Sequence, residues 1–196
     1  MRSSMELKEK QRKILDVAVE LFKEKGYMGS SVRDLATKLN IKAASLYAHI
    51  RSKEEILEWI CFGIANDFFT GLQTVKSTDI NPKDKLNLFI DQHLSIVLRN
   101  RDVTHIYSNE WKHLEERLPE FIELRKKYQQ EVEELISEIY QAENWELKSP
   151  TFTTRFILHT LNNSYFWFKR NIESTTEITD EIRDKILYGL LGNHKP

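Results

Sequence analysis

The chain has 196 residues, enough for one large domain or two small ones, and 40% of them are hydrophobic, so a sizeable core is expected. Four prolines and six glycines are too few for a turn-rich all-β fold and favour long helices. The net charge of −1 conceals an uneven distribution: residues 1–53 carry 12 Lys+Arg against 6 Asp+Glu, and the rest carries 17 against 24. A basic head on an acidic body points to a polyanionic partner for the head alone. The single Cys61 offers no intrachain disulfide, no apolar run approaches the ~18 residues of a membrane span, and "MRSSMELKEKQRK" lacks a signal-peptide core. The expectation is a cytoplasmic protein with no membrane partner.

The first helix is expected over Glu6–Lys25, with Ile14, Leu15, Ala18, Leu21 and Phe22 on its apolar stripe and Gly26 as its stop. A second begins near Ser30 or Ser31, where Ser31-Val-Arg-Asp34 reads as a capping box, and ends at Asn40, a residue that tolerates a left-handed turn. A third is expected over Lys42–Ile50, about three residues on, as a helix-turn-helix requires. Ser52-Lys-Glu-Glu55 caps a fourth helix bearing Ile56, Leu57, Ile60, Ile64 and Phe68. After the linker "KSTDINP" (76–82), helices are expected near 83–100, 103–114, 119–142, 151–171 and 179–191. The expected fold is all-α, divided into a helix-turn-helix domain over 1–53 and a helical ligand-binding and dimerisation domain over 54–196.

The 151–171 segment, with Phe152, Phe156, Ile157, Leu161, Tyr165, Phe166, Trp167 and Phe168, is apolar on more than one side. Such a helix packs on its own core and on something further. A homodimer interface shared with the last helix is the expectation, a central helix of a monomer the alternative.

Within the expected third helix, Leu46 and Ile50 lie one turn apart and point inward with Ala43 on their side. Lys42, Ala44, Ser45, Ala48 and His49 remain for the other side. Small residues permit close approach to a major groove, where Ser45 and His49 would bond base edges and Lys42 guanine or phosphate. Tyr47, at the edge, suits a backbone phosphate. Ser30, Ser31 and Arg33 at the second helix, and Lys53 at the fourth, are candidate phosphate contacts that fix register without reading sequence.

Glu110-Trp-Lys-His113 has the Glu-x-x-His spacing of di-iron helices, but a second copy is missing, and His93, His105 and His159 do not supply it. No metal, cofactor, nucleophile motif or Gly-rich phosphate loop is indicated, so an enzyme is not expected. A metal-binding helical enzyme stays as the remote alternative.

Residues 10–57, through "ILDVAVELFKEKGY" and "SSVRDLATKLNIKAASLYAHIRSKEEIL", resemble the N-terminal domain of TetR-type transcriptional regulators. Asn40 stands where that pattern often has Gly, and Ile50 where Phe is frequent. The stretches "NEWKHLEERLPEFIELRKKYQQEVEELI" (109–136) and "ILHTLNNSYFWFKRNIESTTEITDEIRDKILYGLLG" (157–192) look like the acyl-CoA-responsive, fatty-acid and sterol degradation branch. The resemblance implies a homodimeric repressor on double-stranded operator DNA, released by a small hydrophobic effector such as a fatty acyl-CoA. An aromatic or drug-like effector is the alternative. Tyr107, Glu110, Trp111, His113, Phe121, Arg125, Tyr128, Phe156, Asn163 and Trp167 are the candidate effector contacts. Arg99, Arg101, Lys112, Lys126 and Lys127 are further cations for a CoA head group.

Overall fold

The computed structural model describes residues 7–166 and 175–190. Among these the chain is helical, with no strand. It forms two compact units that interleave in sequence, Met1–Asp67 with Asn100–Leu124, and Phe68–Arg99 with Arg125–Pro196.

The first unit holds α1 (Glu9–Lys25), α2 (Val32–Lys38), α3 (Ala43–Leu46), the start of α4 (Lys53–Ser77), α6 (Arg101–Asn109), a 3₁₀ turn over Trp111–His113 and the start of α7 (Leu118–Ala142). Its core is Ile14, Ala18, Leu21 and Phe22 of α1 against Leu35, Ala36, Leu46, Ile50, Ile56, Leu57 and Ile60. These are the stripe positions of the sequence, and α1 packs on both α2 and α6. Gly26, at φ 73°, ends α1 in a conformation that a side chain would disfavour, and Asn40 turns the chain at φ 55°.

The third helix is shorter than expected. It is one turn, Ala43–Leu46, followed by turns through His49. The Ile50 amide still reaches the Leu46 carbonyl at 3.2 Å, so Ile50 is delivered to the core without a continuous helix. Burial of Leu46 and Ile50 outweighs regular helical geometry over four residues.

The second unit holds the remainder of α4 and α7 with α5 (Pro82–Arg99), α8 (Pro150–Asn163), a 3₁₀ turn over Ser164–Phe166 and α9 (Thr175–Leu190). α5 packs against α8 and α9. Its buried face is Leu86, Phe89, Ile90, His93, Leu94 and Val97, met by Ile157 and Leu161 of α8 and by Ile182, Ile186 and Leu187 of α9. The Ser149 hydroxyl caps α8, accepting from the Phe152 amide at 3.3 Å, and Pro150 occupies the first helical position, where its missing N–H costs nothing. No helix among the described residues is long and apolar enough to cross a membrane.

Candidate functional site

Ser31 is the N-cap of α2: its hydroxyl accepts from the Asp34 amide at 3.1 Å, and its own amide donates to Asp34 Oδ2 at 2.9 Å. The Ser31 hydroxyl, then the Lys25 ammonium 3.0 Å away, holds the Asp34 carboxyl down at about 2. The capping box inferred from sequence is therefore present, and Ser31→Ala should cost about 1 kcal/mol of stability in urea unfolding. A change within experimental error would mean that the cap carries no net energy. Arg33 is exposed beside it.

Beyond the Asn40 turn, Leu46 and Ile50 are buried, while Lys42, Ala44, Ser45, Tyr47 and Ala48 are exposed. Ala43 and His49 are half-buried. Small side chains and a few donors thus line the outward side of a segment anchored by two aliphatics.

Two of the expected phosphate contacts are bonded within the head itself. Ser30 is buried, and its hydroxyl donates to the Gly26 carbonyl at 2.6 Å, satisfying an end-of-helix acceptor of α1. Lys53 turns inward. Its ammonium donates to the Tyr27 carbonyl at 2.7 Å and the Ser30 carbonyl at 2.8 Å, and lies 4.0 Å over the Tyr27 ring. Neighbouring Arg51 is exposed and lies 3.4 Å from Glu55.

The candidate effector residues separate into distinct groups. In the first unit, Phe121 meets Tyr107 at 5.7 Å, Trp111 at 6.2 Å and Phe62 at 5.3 Å between ring centroids, with the Arg117 guanidinium 3.8 Å over Phe62. Glu110 and His113 face elsewhere: their side chains are 3.4 Å apart, and the imidazole stacks on Tyr27 at 5.5 Å and 19°. They are engaged with the end of α1.

In the second unit, Tyr128 joins a buried polar chain. Its hydroxyl is 3.2 Å from His93 Nδ1, and His93 Nε2 is 2.9 Å from Asn162 Oδ1. Since Asn162 Oδ1 only accepts, Nε2 carries the proton and Nδ1 accepts from the Tyr128 hydroxyl. Phe68 stacks on the imidazole at 4.3 Å and 18°. Burial pushes the His93 pKa down to about 4, against a smaller opposing effect of the Asn162 bond. Arg125 is half-buried.

Phe156 is 45% exposed, one turn from Phe152 at 66%. The Asn163 amide donates to the His159 carbonyl of its own helix at 2.9 Å. Trp167 and Phe168 lie outside the described residues. Sequence reasoning passed over His93 and Asn162 as site residues. The available signal was a histidine at the centre of α5's apolar stripe, spaced with Leu86, Phe89, Ile90 and Val97. Among the described residues no group of three or more His, Cys, Asp or Glu side chains is placed to hold a metal ion.

The capped α2, the Asn40 turn and the anchored outward face of α3 define a helix-turn-helix DNA-binding protein. Residues 14–60 match the family model of bacterial regulatory proteins of the tetR family, and residues 79–190 match the tetracyclin repressor-like C-terminal domain. The second match alone covers more than half of the chain, which belongs to the TetR family.

Among curated proteins, it is 33% identical over 122 residues to the HTH-type transcriptional repressor KstR2 of Mycolicibacterium smegmatis, over 61% of this chain and 58% of that one. It is 30% identical over 101 residues to KstR2 of Rhodococcus jostii, over 52% of this chain and 50% of that one. The chain thus spans about half the length of the curated relatives it matches. Among solved structures, the ketosteroid transcriptional regulator KstR2 of Mycobacterium tuberculosis shares the fold, with a TM-score of 0.85 at 21% identity over 96% of this chain and 98% of that one. AibR, solved with isovaleryl coenzyme A and operator DNA, has a TM-score of 0.79 at 27% identity over 90% of this chain and 97% of that one.

Proposed function

We propose that the protein is a ligand-responsive transcriptional repressor of the cytoplasm, binding operator DNA as a homodimer and leaving it when a fatty acyl-CoA or similar hydrophobic effector binds. The outward face of residues 42–48 carries this reading. Leu46 is buried while Lys42, Ala44, Ser45, Tyr47 and Ala48 stay in solvent, the division a groove-reading segment needs. Ser45 and His49 are proposed as base contacts, Lys42 as a guanine or phosphate contact, and Ser31, Arg33 and Tyr47 as phosphate contacts, with Ala43, Ala44 and Ala48 allowing the approach.

The exposed phenyl rings of Phe152 and Phe156 support the dimer, because an apolar patch one helical turn long on α8 is stabilised by a second copy covering it. The effector class is supported by the isovaleryl coenzyme A bound to the structurally similar AibR. It is also supported, within the first unit, by the aromatic set Tyr107, Trp111 and Phe121. The effector would act through its different affinity for DNA-competent and DNA-incompetent states.

Fluorescence anisotropy tests this on a duplex that the protein itself selects from a random-sequence pool. Isovaleryl-CoA or palmitoyl-CoA should weaken binding by about tenfold or more, and free CoA should not. If neither thioester changes the affinity, the acyl-CoA reading is abandoned, and an aromatic, drug-like effector becomes the one to test.

A further inference from the structure

Thr104 and Ser108 lie one turn apart on α6, and the hydroxyl oxygen of each is closed off from solvent without a hydrogen-bond partner in the protein. Thr104 is buried over its whole surface. A helical hydroxyl has a default partner, the carbonyl one turn earlier. Thr37 uses it, donating to the Arg33 carbonyl at 2.9 Å, and so does Thr74, donating to the Thr70 carbonyl at 3.0 Å. Both of those side chains are exposed, so water would serve them as well. The buried pair on α6 has more to gain from such a bond and does not make it. A hydroxyl held out of water without a partner costs free energy. Two of them on one face of one short helix call for a partner from outside the chain. In the second unit Asn87 Oδ1 and Thr154 Oγ1 are in the same condition, but each stands alone on its helix.

The surroundings of the pair are aromatic. By helical spacing Thr104, Tyr107 and Ser108 share one side of α6, and Asp102, paired with Lys23 of α1 at 2.8 Å, lies on the other. Tyr107 and Trp111 both pack on Phe121 of α7, and Phe62 of α4 packs on Phe121 edge to face. All of these residues belong to the first unit.

The spacing of the pair suits a single oxygen. Residues one turn apart hold their Cβ atoms ~5–6 Å from each other, and two O–H···O bonds of about 2.8 Å reach across that gap to one acceptor with two lone pairs. A neutral carbonyl meets this need. A carboxylate does not, because Arg117, the guanidinium over the Phe62 ring, is already bonded to both oxygens of Glu120 at 2.7 Å.

We propose that Thr104 and Ser108 determine effector specificity: together they bind one neutral carbonyl oxygen, whose hydrocarbon flanks pack on Tyr107, Trp111 and Phe121. This rests on the effector reading above and narrows it. A thioester and a ketone both present such an oxygen; a thioether, a plain hydrocarbon and a free carboxylate do not. The hydroxyls are desolvated before the ligand arrives, so bonds to it form without further loss of protein–water bonds.

Calorimetric titration of the full-length protein, without DNA, tests the site. The probes are isovaleryl-CoA and S-(3-methylbutyl)-CoA, a thioether that lacks only the carbonyl oxygen. Wild type should bind the thioester about tenfold or more tighter than the thioether. The double variant Thr104→Val/Ser108→Ala should lose that preference and bind both with the affinity of the thioether. A variant that still prefers the thioester, or that weakens both compounds alike, overturns the site. If neither compound binds the wild type, the acyl-CoA reading falls, and 2-octanone, a carbonyl without CoA, decides the site. The ketone should bind wild type about tenfold tighter than the double variant, and equal binding overturns the assignment.

A further measurement needs no ligand. Thr104→Val keeps the shape of the side chain and removes the unpartnered hydroxyl, with little change in helix propensity. Its urea midpoint should lie at or above that of wild type. A lower midpoint means that the hydroxyl is already bonded in the free protein, and the proposal falls.

Discussion

Leu46→Ala is expected to abolish DNA binding and to lower stability by about 3 kcal/mol, while Tyr47→Ala, one residue further, weakens DNA binding and leaves stability nearly intact. Leu46 is fully buried in the core of the head and also supplies the carbonyl that holds Ile50. Truncating it removes several methyl(ene) groups from a packed site and leaves a cavity, which in comparable cores costs about 2–5 kcal/mol. α3 is a single turn, and helices this short owe their stability to packing rather than to propensity, so the outward face has no other support. Tyr47 is 55% exposed, and its removal should alter stability by no more than about 0.5 kcal/mol. On the proposed contact to a charged phosphate, its hydroxyl would be worth at least about tenfold in affinity. Urea unfolding and anisotropy on the same two variants measure both quantities. If Tyr47→Ala matches Leu46→Ala in lost stability, or retains full DNA affinity, the assignment of inward and outward residues is wrong.

The contrast between these neighbours shows which parts of the molecule were legible in the sequence. Caps and stops were, because their chemistry is local. Ser31 with Asp34, Gly26 at positive φ and Asn40 in the left-handed turn each act within four residues of themselves. Helical stripes were legible for the same reason, periodicity being a property of neighbours. The direction of polar side chains near a helix end was not. Ser30 and Ser31 are chemically identical, yet one hydroxyl turns back to the Gly26 carbonyl and the other forward to the Asp34 amide. Lys53 heads a helix as an anion-binding lysine would, but its long stem reaches carbonyls 23 and 26 residues earlier in the chain. In α8 the apolar residues seen in the sequence fall on two sides. The sequence did not say that Phe152 and Phe156 would be the outer side and Ile157 and Leu161 the inner. His93 and Asn162 are 69 residues apart, and nothing local to either announces the other.

His93 also sets the acid sensitivity of the second unit. Its imidazole is held neutral, with a pKa lowered to about 4 chiefly by burial, below the 6.5 of a solvated histidine. Between these values the unfolded chain binds a proton that the folded chain refuses, so stability falls as pH falls through the window. The contribution is complete above about 6.5 and fully lost below about 4. A shift of this size corresponds to roughly 3 kcal/mol, of which about 2 should be lost between pH 7 and pH 5. Asp34 acts with the same sign but lower on the scale: its carboxyl, held at about 2, adds stability that is lost as pH falls from the ordinary value of 3.8 through about 2. The comparison that isolates His93 is therefore the change in unfolding free energy from pH 7 to pH 5 in wild type and in His93→Gln. The glutamine still donates to Asn162 but takes no proton. The variant should start lower, because Tyr128 loses its acceptor, at a cost of about 1–3 kcal/mol. It should then lose about 2 kcal/mol less on acidification. Equal losses in the two proteins would mean that His93 is protonated within the fold. The chain from Tyr128 through His93 to Asn162 would then run the other way, with the imidazolium donating at both nitrogens.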